Sequence, residues 1–365
     1  MLRRKFTHKL GAFLKQNTNK IVLAMMVALL TACSGTENGN EESLFPIKDY
    51  TELQGEEICK DEVFLKVPIH LYVINGNLFI YDHQKDSLFY RIKLNNLHDI
   101  KRLGPVGQGP HDFIRIMPMY FDGHELGVYD FGKTAYQVYQ MSGDDIVLDE
   151  STFLRSVGIK TISACAEPLG DYYAINHPSD GKPITLISAQ NDTIGSFGEY
   201  PGDTLGITQP STFVMRKFYT CKANPQRNRL AVAGATSDWL AFYAMGSNGE
   251  MEKTKEYYSF ETEMFFDDYG GTAFDFHRLD NTVDTFHSLY ATDQHLFASC
   301  EGTAQTGTQT PYYIFQFDWE GSLQHTYLIP EPHTCFAVDE SSGYIYTTAT
   351  VDGQDPCLMR YKMKN

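Results

Sequence analysis

The sequence lacks the features of a membrane-spanning or helix-rich protein. Its longest apolar run, residues 21–30, has ten residues, whereas a helix needs roughly 20 to cross a bilayer. Beyond that run, apolar residues seldom recur at the spacing of an amphipathic helix, and short runs rich in Tyr and Phe take their place. We therefore expect an all-β fold for the rest of the chain.

The chain is also poor in positive charge. It has 30 Lys and Arg against 46 Asp and Glu, a formal net charge of -16 at pH 7. Such a surface repels nucleic acid and anionic lipid, so we expect no nucleic-acid partner. The acidity leaves open a cationic partner or a metal ion, but a solvated acidic exterior accounts for it more simply. We predict no cofactor and no metal site.

The sequence also lacks the common metal-binding, redox and hydrolase motifs. No C-x-x-C pair is present, which excludes the common zinc and redox motifs. The chain contains neither H-E-x-x-H nor G-x-S-x-G. Of the six cysteines after Cys33, several lie in apolar strand-like runs, where small buried thiols are favoured, and their spacing reveals no pairing.

The first 33 residues are arranged as an export signal. Six basic residues and no acid precede the apolar run, which ends in Leu30-Thr31-Ala32-Cys33. This ending resembles the lipobox of bacterial lipoproteins and implies cleavage before Cys33 and lipidation, including palmitate, on its thiol. The alternative is an ordinary signal peptide with an accidental cysteine. Removing residues 1–32 leaves a formal charge of -22.

The lipobox implies the following organisation. Residues 1–32 form the signal peptide, residues 33–48 a flexible acidic tether, and residues 49–365 the folded domain. Ser34 in place of Asp implies the outer membrane rather than inner-membrane retention. The acidic tether resembles surface-export signals of Bacteroidetes lipoproteins. We expect a cell-envelope protein, held by lipid and facing the periplasm or the surface.

A four-strand unit of roughly 45 residues recurs along the domain, as in propeller blades. We count six units, at residues 69–103, 116–148, 162–197, 218–258, 286–329 and 335–362. The sixth lacks a fourth strand. We predict that a strand within residues 50–66, where Val63-Phe64-Leu65 is β-prone, pairs onto it and closes a six-bladed β-propeller of four-stranded blades. A β-sandwich, in one or two domains, is the alternative.

The junction after the first unit carries a family resemblance. It reads Gly107-Gln108-Gly109-Pro110-His111-Asp112-Phe113 and is similar to the G-x-G-P-x-(E/D)-F junction of NHL and TolB-like propellers. With the lipobox, the mature chain resembles the TolB-like six-bladed propeller lipoproteins of Bacteroidetes. The glycines do not form a phosphate loop, because Pro110 and a strand follow instead of Lys-Ser/Thr and a helix.

The longer connections should all lie at one end of the propeller, where we place the partner-binding face. They are near residues 198–216, 259–284, 301–311 and 350–356. The candidate binding residues are His83, Lys85, His111, Asp112, Lys133, His177, Trp239, Asp275, His277, Arg278 and Asp352. Each has an ordinary structural explanation too: Asp112 can cap a turn and Trp239 can pack in the core.

Two classes of function fit these features. The first is a non-catalytic binding or scaffold lipoprotein that presents a propeller face to a protein or a glycan, with no catalytic residue assigned. The second is a propeller enzyme, either a metal-assisted hydrolase or lactonase or a polysaccharide lyase, with its site on the channel axis. Propeller sites take residues from different blades, so missing linear motifs do not separate the two classes.

Overall fold

The computed structural model describes most of the domain and none of the first 42 residues. The described residues are 43–82, 87–107, 113, 116–122, 125–131, 135–140, 155–157, 165–176, 182–190, 192–199, 219–234, 239–247, 249–258, 264–268, 274–278, 285–301, 311–350 and 355–364. They form only strands, turns and irregular segments. Within these ranges no helix has the length and apolarity that crossing a membrane requires.

Two short strands precede the first blade, β1 (Thr51–Glu52) and β2 (Gly55–Glu57). Four blades follow, each an antiparallel sheet. Blade 1 comprises β3 (Pro68–Ile74), β4 (Asn77–Asp82), β5 (Ser87–Lys93) and β6 (Asn96–Pro105). Blade 2 comprises β7 (Ile116–Phe121), β8 (Glu125–Asp130), β9 (Ala135–Gln140) and β10 (Arg155–Val157). Blade 3 comprises β11 (Ala166–Leu169), β12 (Tyr172–Ile175), β13 (Ile184–Ile187) and β14 (Thr193–Phe197). Blade 4 comprises β15 (Tyr219–Ala223), β16 (Arg229–Gly234), β17 (Leu240–Met245) and β18 (Met251–Tyr257).

A separate two-stranded hairpin, β19 (Met264–Asp268) and β20 (Phe274–Arg278), follows blade 4. It lies within the stretch that the sequence indicates as a long connection. Blade 5 comprises β21 (Phe286–Ala291), β22 (His295–Glu301), β23 (Tyr312–Asp318) and β24 (Leu323–Ile329). Blade 6 comprises β25 (His333–Asp339), β26 (Tyr344–Ala349) and β27 (Cys357–Lys362). The prediction of six four-stranded blades is confirmed.

The first strand of each blade lies on the inside of the ring. Inner strands of successive blades contact each other from β7 through β11, β15, β21 and β25, and β25 contacts β3. Apolar side chains fill the space between blades: Tyr72 and Phe79 of blade 1 pack edge-on against Phe121 of blade 2, with ring centroids 5.4 and 5.2 Å apart. Each such buried ring contributes about 1.5–3 kcal/mol to folding.

The N-terminal strand closes the ring, as the sequence predicts. Strand β2 pairs antiparallel with β27 and supplies the outer strand of blade 6, with Gly55 opposite Tyr361. A side chain at Gly55 would not fit, because its Cβ would lie 2.5 Å from a ring carbon of Tyr361. Strand β1 also pairs, parallel to β24 at the outer edge of blade 5, a contact that the sequence does not indicate.

The β-prone run at residues 63–65 forms no strand. This segment crosses from the outside of blade 1 to its inner strand: the Cys59 thiol donates to the Leu97 carbonyl, and the Tyr90 hydroxyl donates to the Phe64 carbonyl. The Asp82 carboxylate accepts the backbone amides of Lys66 and Val67 at 2.6–3.1 Å. These bonds hold the segment against blade 1 without a ladder partner, and the Phe64 side chain is exposed.

The packed chain begins before residue 49. Leu44 is buried, and Phe45 and Ile47 pack against the cluster shared by blades 4 and 5. The Phe45 ring lies edge-on to Phe315 at 6.1 Å. These residues fall in the last part of the expected tether, whose acidic first part lies outside the described residues.

One disulfide joins two neighbouring blades. Cys165, which precedes β11, is bonded to Cys221 of β15 across a sequence separation of 56 residues. Cys59, Cys300 and Cys335 are buried free thiols, and Cys357 is a half-buried one. Three of the six described cysteines are thus buried free thiols, as the sequence favours, and two form a disulfide that the spacing does not reveal.

Ser299 of blade 5 contacts two histidines, His287 of the same blade and His333 of blade 6. Its Oγ lies 2.8 Å from Nε2 of His333 and 3.0 Å from Nε2 of His287. Ser299 and His333 are buried. Burial, assisted by the neighbouring His287, lowers the pKa of His333 to about 3, so this imidazole stays neutral at physiological pH.

Removing the disulfide should destabilise the junction of blades 3 and 4. We expect the Cys165→Ala/Cys221→Ala double variant to lose about 2–4 kcal/mol of unfolding free energy, because the bond restricts the unfolded chain. Urea denaturation followed by Trp fluorescence measures the loss. The Cys357→Ala variant, which removes a free thiol, is the control. Equal midpoints for the double variant and the wild type would contradict the proposed bond.

The buried His333 should make the fold acid-sensitive. Its folded-state pKa lies below the unfolded value of about 6.5, so the unfolded chain binds the extra proton. Above about pH 6.5 both states hold a neutral His333, so this residue leaves the free energy of unfolding unchanged. Between pH 6 and 4 it lowers that free energy by up to about 1.4 kcal/mol per pH unit. Denaturation at pH 7, 6, 5 and 4 should show a flatter decline for His333→Gln. The exposed His325→Gln variant should decline like the wild type, and the same decline in His333→Gln would refute the assignment.

Candidate functional site at one end of the channel

Polar side chains from several blades converge at one end of the central channel. They line an axial cavity of about 280 Å³. The blades contribute to it through the ends of their inner strands and the turns that follow. The polar or charged lining residues are Tyr72, Asn75, Tyr120, Asp122, Glu167, Lys222, Asn224, Arg227, Tyr290, Thr292 and Asp293.

A buried ion pair crosses from blade 3 to blade 4 in this cavity. Lys222 Nζ lies 2.9 Å from Oε1 of Glu167, and the Ala223 amide donates to Oε2 at 3.2 Å. Glu167 is 3 % exposed. Burial raises the pKa of the Glu167 carboxyl, opposed by the Lys222 ammonium and the Ala223 amide. The disulfide ties the strands that carry this pair, since Cys221 is adjacent to Lys222.

Arg227 joins the turns of blades 2, 3 and 4. Its Nη2 lies 2.7 Å from Oδ2 of Asp122 and 2.8 Å from Oε2 of Glu125, and its carbonyl accepts the Gly170 amide at 2.7 Å. Burial opposes the charge on Arg227, but the hydrogen bonds and charges of Asp122 and Glu125 outweigh it and raise its pKa. Glu125 also accepts the Tyr120 hydroxyl at 3.2 Å.

The Arg227 backbone is held in an unfavourable conformation. Its φ is 58°, in the left-handed region that costs a non-glycine residue free energy. Asn224 imposes it: its carbonyl accepts the Arg227 amide at 2.8 Å, and its Oδ1 accepts the amides of Asn228 and Arg229, both at 2.9 Å. The turn thereby aims a long cationic side chain across the end of blade 3.

Tyr72 brings a hydroxyl from blade 1 into the axial cavity. Its side chain is 6 % exposed, and within the described residues its hydroxyl has no hydrogen-bond partner. Burial raises its pKa well above the ordinary value, with the Glu167 charge as a smaller cause. Tyr72 is therefore a neutral donor and acceptor at the cavity wall. His70 lies deeper on the same strand, and burial, with Lys222, lowers its pKa to about 4.

A second cavity, of about 640 Å³, forms a radial groove that runs outward from the axis along blade 3. Its walls are Glu125 of blade 2 and the two turns of blade 3 on this side, at residues 170–173 and 188–190. Arg227 and Pro168 line both this groove and the axial cavity. The two spaces therefore meet at the Arg227 side chain.

This polar end is opposite the end where the sequence places the binding face. The axial cavity and radial groove are bordered by turns between first and second strands and between third and fourth strands. In an antiparallel blade, the longer connections between second and third strands emerge at the other end. Sequence reasoning missed this site because its residues are scattered. The sequence feature that could have revealed it is a charged residue in each of two short inner strands, Glu167 in β11 and Lys222 in β15.

Four of the sequence-based candidates lie in the described residues. Trp239 is buried before β17, where it packs edge-on against Tyr219 and its Nε1 donates to Glu256 Oε1 at 3.0 Å. Asp275, His277 and Arg278 lie on β20. The remaining candidates and the lipidation site lie outside the described residues: Cys33, His83, Lys85, His111, Asp112, Lys133, His177 and Asp352. The structure does not bring Trp239 to the axial cavity.

The channel end offers recognition by hydrogen bonds and charge. In the described part of the chain, no group of three or more His, Cys, Asp or Glu side chains is arranged to hold a metal ion. Ser299 with its two histidines has the composition of a nucleophile and base. However, Ser299 is 0 % exposed, and a histidine of pKa about 3 is a weak proton acceptor at neutral pH. We assign this cluster a structural role.

Comparison with known proteins agrees with the fold. A search of solved structures finds a protein from Bacteroides fragilis, named as an exported protein, with a TM-score of 0.50 and 13 % identity over 86 % of this chain and 95 % of that one. A weaker match, with a TM-score of 0.40 and 9 % identity, is the β-propeller domain of Myceliophteria thermophila Cps50 (Swd1), over 81 % of this chain and 83 % of that one. No curated protein matches the sequence. A family model described as TolB-like 6-blade propeller-like matches residues 48–341, and this chain belongs to that family.

Proposed function

We propose that the protein is an exported, lipid-anchored binding protein of the cell envelope that holds a protein or glycan partner at the polar end of its propeller without transforming it. One observation carries the binding site: charged side chains of blades 2, 3 and 4 meet around a cavity at that end. The propeller's apolar core does not need them, since it lies between the sheets.

Export and anchoring rest on the N-terminal signal. The basic stretch, the short apolar run and Cys33 support cleavage and lipidation. Export is further supported by the Bacteroides fragilis neighbour, which is named as an exported protein. Outer-membrane residence rests on Ser34 after the lipidated cysteine. The expected tether would let the domain face a partner in the periplasm or at the cell surface.

The contacts at the channel end favour binding over catalysis. Lys222 and Arg227 are each held by carboxylates. Side chains fixed in this way lose little conformational freedom when a ligand arrives, which favours affinity. A ligand would contact the accessible faces of these ion pairs, since 16 % of the Lys222 side chain and 31 % of the Arg227 side chain remain exposed.

Replacing Arg227 by glycine tests the binding site without straining the backbone, and circular dichroism checks that the variant, which loses the ion pairs with Asp122 and Glu125, still folds. Glycine accepts a φ of 58° freely, so Arg227→Gly removes the side chain and relieves strain. On arrays of envelope glycans and envelope proteins, we expect each specific signal to weaken at least about tenfold. The control is Lys253→Ala, which removes a lysine–carboxylate pair on the fourth strand of blade 4, outside both cavities. Equal binding by Arg227→Gly and wild type, or conversion of the bound ligand, would contradict the proposal.

The anchor is tested at Cys33. In cells given an alkyne analogue of palmitate, we expect the wild type to carry the label and to sediment with membranes. The Cys33→Ala variant should lose the label, because only this thiol follows a lipobox. Cys357→Ala should remain labelled. A labelled Cys33→Ala variant, or an unlabelled wild type, would overturn the lipoprotein assignment.

A further inference from the structure

The axial cavity and the radial groove have the shape of a site for the end of a chain. The axial cavity, at about 280 Å³, is near the small end of ligand pockets, which span roughly 300–1,000 Å³. It has room for one small unit. The radial groove, at about 640 Å³, has room for further units beyond Arg227. A long ligand would thus enter the axial cavity by one end.

The groups that line the axial cavity complement a ligand that both donates and accepts hydrogen bonds. The Tyr72 hydroxyl lines it without a partner among the described residues, although its side chain is more than nine-tenths buried. The Glu167 carboxylate accepts and the Lys222 ammonium donates in the same space. Groups that can do both, such as sugar hydroxyls, match all three.

The radial groove adds an aromatic wall flanked by short polar side chains. Tyr172 is half-buried and Tyr173 buried there, beside exposed Asp171 and Gln190 and half-buried Ser188. A pyranose ring offers an apolar C–H face that packs on a tyrosine ring and a rim of hydroxyls that reach carboxylate and amide groups. A flat, hydroxyl-rimmed unit therefore fits this wall better than an aliphatic or a purely ionic one.

Charge restricts the kind of sugar. Two bases, Lys222 and Arg227, line these spaces. Five acidic side chains line them as well: Asp122, Glu125, Glu167, Asp171 and Asp293. The excess of carboxylates repels a uronate or a sulfated sugar and tolerates a neutral or amine-bearing one.

We propose that the axial cavity binds the terminal unit of a neutral or amine-bearing glycan, whose following units lie in the radial groove along blade 3. This inference rests on the proposed function and names the ligand of the same site. The terminal unit forms hydrogen bonds with Tyr72, Glu167 and Lys222, and the next units pack on the ring of Tyr172.

Calorimetric titration of the mature protein tests this proposal with four tetrasaccharides, those of glucose, N-acetylglucosamine, glucosamine and galacturonic acid, and with trilysine. At least one of the first three should bind, and galacturonate should bind about tenfold or more weakly than it. Tyr72→Phe keeps the ring and should weaken binding about five- to tenfold. Tyr172→Ala should weaken the tetrasaccharide and leave the matching monosaccharide unchanged. The Tyr344→Phe variant, on the second strand of blade 6 and in the lining of neither cavity, is the control.

Three outcomes would overturn the inference: equal binding of galacturonate, binding unaffected by Tyr72→Phe, or trilysine alone binding at a Tyr72-sensitive site. Failure of every saccharide to bind would also overturn it. If Arg227→Gly still abolished a protein partner's signal in that case, the proposed binding site would stand and only the glycan would be wrong. If Arg227→Gly changed nothing, both would fail.

Discussion

The antiparallel pairing of β2 with β27 is the contact on which the ring depends. Without it, blade 6 would have three strands and an exposed edge, a template for pairing with another chain. The pairing is made specific by fit and by charge: Gly55 leaves space for the Tyr361 ring, and Glu56 accepts two hydrogen bonds from Arg360 at 2.6 and 2.9 Å. Since β25 in turn contacts β3, closure at the outer edge is reinforced at the axis.

Closure fixes where the inner strands end, and this creates the channel-end site. Neighbouring blades bring Glu167 and Lys222 together, and the disulfide ties Cys165, just before β11, to β15. Arg227 then links three turns that are far apart in sequence. No single blade contains the site, so binding there would report on the integrity of the ring.

The fold was largely predictable from sequence, because alternating Tyr- and Phe-rich runs separated by Gly and Asn turns are a local signal. A closing strand within residues 50–66 followed from counting blades. It lies at Gly55–Glu57, whereas the β-prone run at 63–65 leads into the Lys66 and Val67 amides that bind Asp82 of blade 1, a contact that the sequence does not indicate. In blade 3 the inner strand was expected at 162–166 and lies at Ala166–Leu169. The channel site was not predictable, since Glu167 and Lys222 are 55 residues apart and become neighbours only through ring geometry.

The residues at the channel end reduce the stability of the fold, which argues that they are kept for a function. Burying Glu167 costs several kcal/mol of desolvation, which a partner such as Lys222 offsets only in part, and apolar residues of similar volume commonly stabilise a fold as well or better. The left-handed φ of Arg227 adds a further cost that glycine would avoid. Tyr72 places a hydroxyl at the wall of the same cavity with no hydrogen-bond partner among the described residues. These features lie around one cavity, whereas the packing between blades 1 and 2 is mainly apolar and aromatic, with a buried hydrogen bond from the Tyr81 hydroxyl to the Ile116 carbonyl. Stability alone would not select that arrangement, but recognition of a polar ligand would.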